Sequence, residues 1–199
     1  MAIKTGQATL NGLKYNLDDR DRVAAQTYVE SNTGLSAGTG FDGTETYVSW
    51  VEQFGGIIKT SILVDLTGLY SDAAGDIIGE NGGTANCNLG QVTTAKCGTI
   101  VAGRMTCLET PDGGEPDIDV YSADEATGAE NAAVTGLTET ALLNVGQDWI
   151  AGASANQYNT AGFTTVPAAD QYLYLVGDGG GTAAVYTAGK FLIELWGTV

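Results

Sequence analysis

After residue 46, apolar side chains recur at every second position along most of the chain, the period of a strand with one buried face. Residues 57–66 are the clearest case. Ile58, Thr60, Ile62, Val64 and Leu66 share one face, and Ile57, Lys59, Ser61, Leu63 and Asp65 share the other. Residues 98–108 repeat the alternation, with Val101, Met105 and Cys107 on one side and Arg104 and Thr106 on the other. Residues 117–121 direct Ile118 and Val120 inward and Asp117, Asp119 and Tyr121 outward. A short apolar run follows at 141–145. The last thirty or so residues read as a meander. Its parts are 172–176, a Gly177-Asp178-Gly179-Gly180-Gly181 turn, 182–187, and 190–196 with Phe191, Ile193 and Leu195 inward. Segments 47–54, 76–79, 87–94 and a weaker 163–166 bring the expectation to about eight to ten strands.

Many short strands, Gly-rich turns and little helix predict an all-β fold, an antiparallel β-sandwich ahead of a barrel. Eight strands over roughly 150 residues suit a jelly-roll-like arrangement, with an Ig-like or other Greek-key sandwich left open. The body is expected at 46–199. Residues 1–45 lack the alternation and are expected to be an N-terminal arm and linker. Within them, 1–16 has few bulky apolar groups and reads as an extended arm. Residues 18–29 suit a short helix capped by Asp18, with Val23, Ala24, Thr27 and Tyr28 on one face. Residues 31–45, rich in Gly, Ser and Thr, read as a linker.

Composition narrows the chemistry. Of 199 residues, 29 are Gly, and Ala and Thr supply 25 each, which disfavours a helical bundle. There is no His, so a Ser-His-Asp triad, a Cys-His nucleophile and an imidazole metal ligand are all excluded. The net charge is −16, which opposes nucleic acid and anionic membranes. That charge is unevenly spread. Residues 1–22 carry Lys4, Lys14, Arg20 and Arg22 against Asp18, Asp19 and Asp21, a net of +1, and residues 23–199 carry −17. The opening Met1-Ala2-Ile3-Lys4-Thr5-Gly6 has no apolar stretch of the kind a signal peptide needs, and no run of about 18 apolar residues occurs.

Candidate sites are few. Cys87, Cys97 and Cys107 are evenly spaced, so regular strands would place them on one face. They lack the tight pairing of zinc ligands and read as buried free thiols. Asp117 and Asp119 stand i,i+2 on a strand, about 7 Å apart, a separation that two-carboxylate glycoside hydrolysis also uses. With 24 acidic residues such a pair is expected by chance, and no sugar cleft is evident beside it. Asp112, Glu115, Asp117, Asp119, Asp124 and Glu125 cluster in a Pro/Gly-containing stretch. Of these, Asp117, Asp119 and Asp124 are weak Ca²⁺ candidates, since hard oxygen ligands on loops suit that ion. The Gly177–Gly181 run lacks the Lys-Ser/Thr of a phosphate loop. Trp50, Trp149 and Trp196, with Tyr172 and Tyr174, suit core packing or subunit contact, or less strongly the stacking of sugars. No enzymatic constellation emerges.

A set of phrases in the body resembles virion proteins of tailed bacteriophages, especially from aquatic phages. They are Phe54-Gly55-Gly56-Ile57-Ile58-Lys59-Thr60, Leu66-Thr67-Gly68-Leu69 and Asp76-Ile77-Ile78-Gly79. Gly103-Arg104-Met105-Thr106-Cys107-Leu108-Glu109 and Gly136-Leu137-Thr138-Glu139-Thr140 follow. Tyr172-Leu173-Tyr174-Leu175 and Ala188-Gly189-Lys190-Phe191-Leu192-Ile193-Glu194-Leu195 complete the pattern over roughly 54–196. The resemblance implies a particle component without enzymatic activity, best suited to a head decoration (cement) protein that binds the outer capsid as a trimer or other homo-oligomer. The expected partners are the major capsid protein and further copies of the chain, with no nucleic acid, membrane or cofactor. The expected location is the outer capsid surface, after synthesis in the host cytoplasm. The arm lies outside the resemblance. Its charge makes Lys4, Lys14, Arg20 and Arg22 the electrostatic docking candidates, with Leu10, Leu13, Tyr15 and Leu17 as apolar anchors. The alternative is a head-fibre or tail protein that binds host-surface glycan.

Overall fold

The computed structural model describes residues 7–10, 13–16, 34–41, 47–151, 160–179 and 183–199. Fourteen strands occur among them. The first two are β1 (Gln7–Leu10) and β2 (Leu13–Asn16). Next come β3 (Tyr47–Phe54), β4 (Ile57–Asp65), β5 (Leu69–Ser71), β6 (Asp76–Ile77) and β7 (Gly79–Glu80). A single helical turn, α1 (Thr94–Cys97), precedes β8 (Thr99–Asp112) and β9 (Ile118–Ala123). The last five are β10 (Glu139–Leu143), β11 (Thr160–Gly162), β12 (Tyr172–Gly177), β13 (Ala184–Val185) and β14 (Ala188–Thr198).

Eight of these strands build two antiparallel sheets. In chain order β4, β6, β8, β9, β10, β11, β12 and β14 pair first with last, second with seventh, third with sixth and fourth with fifth. Such nesting is a long hairpin ribbon. The ribbon is rolled, so that the eighth strand also pairs with the third and the seventh with the fourth. The resulting orders, β11-β8-β14-β4 and β10-β9-β12-β6, are those of a jelly roll. β3 adds a fifth strand beside β4, and β13-β5-β7 form a small third sheet.

The core lies between the two main sheets. Ile62 and Val64 of β4, Met105 and Cys107 of β8, and Phe191, Ile193 and Leu195 of β14 belong to one apolar cluster with Ile118 and Val120 of β9 and Leu173 and Leu175 of β12. Each such side chain contributes about 1.5–3 kcal/mol on burial, so a core of this extent supports the fold without disulfides. The β3–β4 connection is two residues, Gly55-Gly56, between the paired Phe54 and Ile57. Gly55 has φ 61° and Gly56 is not left-handed, as a type II′ hairpin turn requires.

Several expectations are corrected. The C-terminal meander does not exist, because β12, β13 and β14 lie in three different sheets. Their partners come from distant chain, which period-two patterning cannot reveal. Residues 87–94 form no strand: only Gln91 makes an isolated bridge, to Tyr172, and Thr94 opens α1. Of 163–166, none is strand; the strand falls earlier, in β11. Val101 does not join Met105 and Cys107. A bulge in β8 opposite Trp196 and Gly197 shifts the register, burying Ile100 and exposing Val101.

The linker expected at 31–45 is also overturned where it is described. Leu35 and Phe41 are core residues, and Gly38 and Gly40 donate to the Asn88 and Asn86 carbonyls at 2.8 Å. In the arm, β1 and β2 form an antiparallel hairpin where an extended segment was expected. Asn11-Gly12 separates the two strands, a turn dipeptide with a strong hairpin preference. The helix expected at 18–29 lies outside the described residues. No helix among the described residues is long and apolar enough to cross a membrane.

Candidate functional site

Two features of the body stand out chemically: a buried acid cluster and an open sheet face. The first is built by β9 and the end of its neighbour β12. Asp119 is fully buried and Asp117 and Glu115 nearly so. Strand pairing sets Val176 opposite Asp119 and Gly177 opposite Ile118, so Asp178 follows directly beside them. Asp178 donates its backbone N–H to the Asp117 carbonyl, 3.0 Å, and accepts from Asn144 Nδ2, 3.0 Å. Asp119 Oδ1 accepts from the Val145 N–H at 2.9 Å. Asp119 Oδ2 and Asp117 Oδ1 are buried without a conventional donor among the described residues.

Burial pushes the Asp119 acid up to about 7, and the Asp117 and Asp178 carboxylates add to this against the Val145 N–H. Asp117 is raised as well, by burial first and then by Asp178, Glu115 and Asp148. Burial and the neighbouring carboxylates therefore favour the protonated form of Asp119 and Asp117 relative to free carboxyls.

The three Ca²⁺ candidates do not converge. Asp124 lies just beyond the opposite end of β9, where it accepts from Gln171 Nε2 at 3.0 Å. No group of three or more Asp, Glu or Cys side chains among the described residues stands in metal-holding geometry. Asp178 replaces Asp124 as the neighbour of Asp117 and Asp119. Its place followed from the β9–β12 register, which no local pattern shows. Asp119, with no exposed surface, also cannot face a sugar as the carboxylate pair of a hydrolase would.

The cysteines are buried free thiols, as expected. They do not share a sheet face, since only Cys107 lies in a strand while Cys97 ends α1 and Cys87 sits in a loop. Burial pushes Cys87 and Cys107 up to about 11, and Cys97 upward as well.

The tryptophans divide. Trp149 is fully buried, donates its indole N–H to the Ile118 carbonyl at 2.7 Å and meets Phe191 edge-on at 5.5 Å between centroids. Trp50 and Trp196 stand on the outer face of the five-stranded sheet. Tyr174 is buried, its hydroxyl donating to the Glu125 carbonyl at 2.6 Å, and Tyr172 is half-buried.

The outer faces of the two sheets are treated differently. That of the four-stranded sheet is covered by the chain itself, with Glu125 and Gly128 bonded to Tyr174 and Val145 over Asp119. That of the five-stranded sheet carries most of the exposed large apolar side chains among the described residues. Its registered rows alternate in character. One row is Val48, Leu63, Leu192 and Thr106; the next is Trp50, Ser61, Glu194 and Arg104; the next is Glu52, Lys59, Trp196 and Ala102. Glu194 is nearly buried at its centre, bonded to both Lys59 and Arg104. Burial raises the Glu194 acid, but the bonds from Lys59 and Arg104 outweigh it and hold the group below 4.5. The Arg104 guanidinium also lies 5.3 Å over the Trp196 ring. At one end Lys190 joins Asp65, 3.2 Å, and Glu109.

In the arm, Leu10, Leu13, Lys14 and Tyr15 occupy positions on the β1–β2 hairpin, with Leu10 paired to Leu13. Lys4, Leu17, Arg20 and Arg22 lie outside the described residues. Fold and surface together define an acidic all-β jelly-roll protein with a buried acid cluster and, among the described residues, one sheet face that mixes exposed apolar and charged side chains. No family model, curated protein or solved structure matches this chain.

Proposed function

We propose that the chain is a non-enzymatic structural protein of a tailed-bacteriophage particle, a capsid decoration protein that binds the outer shell and stabilises the head. The observation that supports this most is the split between residues 23–199, which contain the jelly-roll body and carry −17, and residues 1–22, which carry +1. The body remains outward and resists non-specific contact through its charge. The arm, with Lys4, Lys14, Arg20, Arg22 and the apolar Leu10, Leu13, Tyr15 and Leu17, docks on the major capsid protein. Binding only the assembled shell stabilises that shell by mass action.

The test is co-sedimentation with heads of the phage that encodes the chain. Full-length protein is expected to pellet with heads, and protein lacking residues 1–22 to stay in the supernatant with an unchanged β-type circular dichroism spectrum. Undiminished binding of the truncated protein refutes docking by the arm. A glycan-binding fibre or tail role is the second reading, favoured by Trp50 and Trp196 on the open face. Glycan-array affinity that Trp50→Ala abolishes, with no binding to heads, would establish it instead.

A further inference from the structure

We propose that the open outer face of the five-stranded sheet seats the same face of a second copy of this chain. Five of the seven exposed large apolar side chains in the described structure belong to this sheet. Val48, Phe54 and Leu108 are 51%, 56% and 51% exposed, and Ile57 is 42% exposed. By register they surround the half-buried Trp50 and Trp196. The opposite outer face of the sandwich has no such set, because the chain's own loops cover it.

Charge selects the occupant. Residues 23–199 contain only four basic side chains, and three of them, Lys59, Arg104 and Lys190, stand on this face. The fourth, Lys96, donates to the Gly34 carbonyl elsewhere. Against the three stand Glu52, Asp65, Glu109 and Glu194, so the face carries −1 and the rest of residues 23–199 carries −16. Elsewhere residues 23–199 are strongly acidic, so two copies meeting there bring acid against acid, whereas on this face the repulsion is nearly absent. The three cations are already held within the sheet: Lys59 and Arg104 by Glu194, Lys190 by Asp65 and Glu109. A polyanionic or strongly basic partner therefore meets little unpaired charge here, whereas an identical apolar, near-neutral face matches it. A face meeting itself makes an isologous, two-fold contact, which closes at two copies.

This inference is independent of shell docking, since it concerns the purified chain alone. Sedimentation equilibrium of the full-length protein reads it directly. The wild type is expected to dimerise at micromolar concentration. Phe54→Glu and Leu108→Glu place acid in the contact and are expected to weaken dimerisation roughly thirtyfold or more, the scale of an interface hot spot. Both positions are exposed, so the melting temperature stays within a few degrees. Val185→Glu, at an exposed apolar position off this face, keeps the wild-type dimer. Raising salt strengthens the dimer, because it screens the remaining acid. A wild type monomeric at 100 µM, a trimer by mass, or face variants that associate like the wild type would each overturn the proposal.

Discussion

Asp119→Asn tests the raised acid at the centre of the cluster. In the folded protein burial, reinforced by the Asp117 and Asp178 carboxylates, raises Asp119 from 3.8 to about 7. Between those values the folded chain keeps a proton that the unfolded chain has released. The group's stabilising contribution is therefore fully present below pH 3.8 and is lost as pH rises through 7. At about 1.4 kcal/mol per pH unit, the loss across this window is on the order of 4 kcal/mol as an upper bound. Local relaxation brings the expected value to about 2–4 kcal/mol. The Asn side chain keeps an oxygen for the Val145 N–H, now at 2.9 Å, and carries no charge to desolvate or to set against Asp117 and Asp178. The variant is thus expected to match the wild type near pH 4.5 and to exceed it by about 2–4 kcal/mol at pH 8. Urea unfolding of both proteins at pH 4.5, 6 and 8, followed by tryptophan fluorescence, measures this. Glu194, held below 4.5 by Lys59 and Arg104, works in the opposite sense: its contribution is present above 4.5 and lost as pH falls further. It leaves the higher window clear. Parallel stability curves for the two proteins between pH 4.5 and 8, or a variant weaker at pH 8, would refute the reasoning.

Glu194→Ala removes the acid that holds Lys59 and Arg104. The Glu194 side chain is 3% exposed but its partners are 27% and 47% exposed. The cost is expected at about 1–3 kcal/mol by urea unfolding, below that of a fully buried pair because both cations reach water; an unchanged midpoint counts against the pairing. The thiols of Cys87, Cys97 and Cys107 are buried and shifted upward, so a thiol reagent at pH 8 is expected to label the native chain slowly and three groups rapidly in denaturant. Fast native labelling of any of them contradicts the burial. A chelator is expected to leave the melting temperature unmoved, since no three acids among the described residues stand in ligand geometry. A fall of several degrees would show that a bound cation stabilises the fold.

Periodicity determined the class of this fold. Ile58, Ile62 and Val64 alternate with polar neighbours because one side of β4 meets the core, and the same holds for Phe191, Ile193 and Leu195 on β14. Alternation, frequent glycine and scarce helix formers are local properties, so an antiparallel sandwich, its inward faces and the burial of three free thiols were legible from residue order alone. Partnership was not. Which strand lies beside β14 depends on burial shared by β4 and β8, more than a hundred and about ninety positions away, and local patterning carries no record of that choice. The Val101 side chain turned outward because a bulge forms only against a particular partner strand. Leu35 and Phe41 entered the core although a Gly-rich context marks linkers, because Gly38 and Gly40 allow close backbone approach to Asn88 and Asn86. Asp119 and Asp178 are neighbours because β9 and β12 pair, and that proximity helps raise the Asp119 acid. The concentration of Lys59, Arg104 and Lys190 on one sheet face has the same origin. Sequence determined how many charges the body carries; register across β4, β8 and β14 decided that nearly all the positive ones lie together.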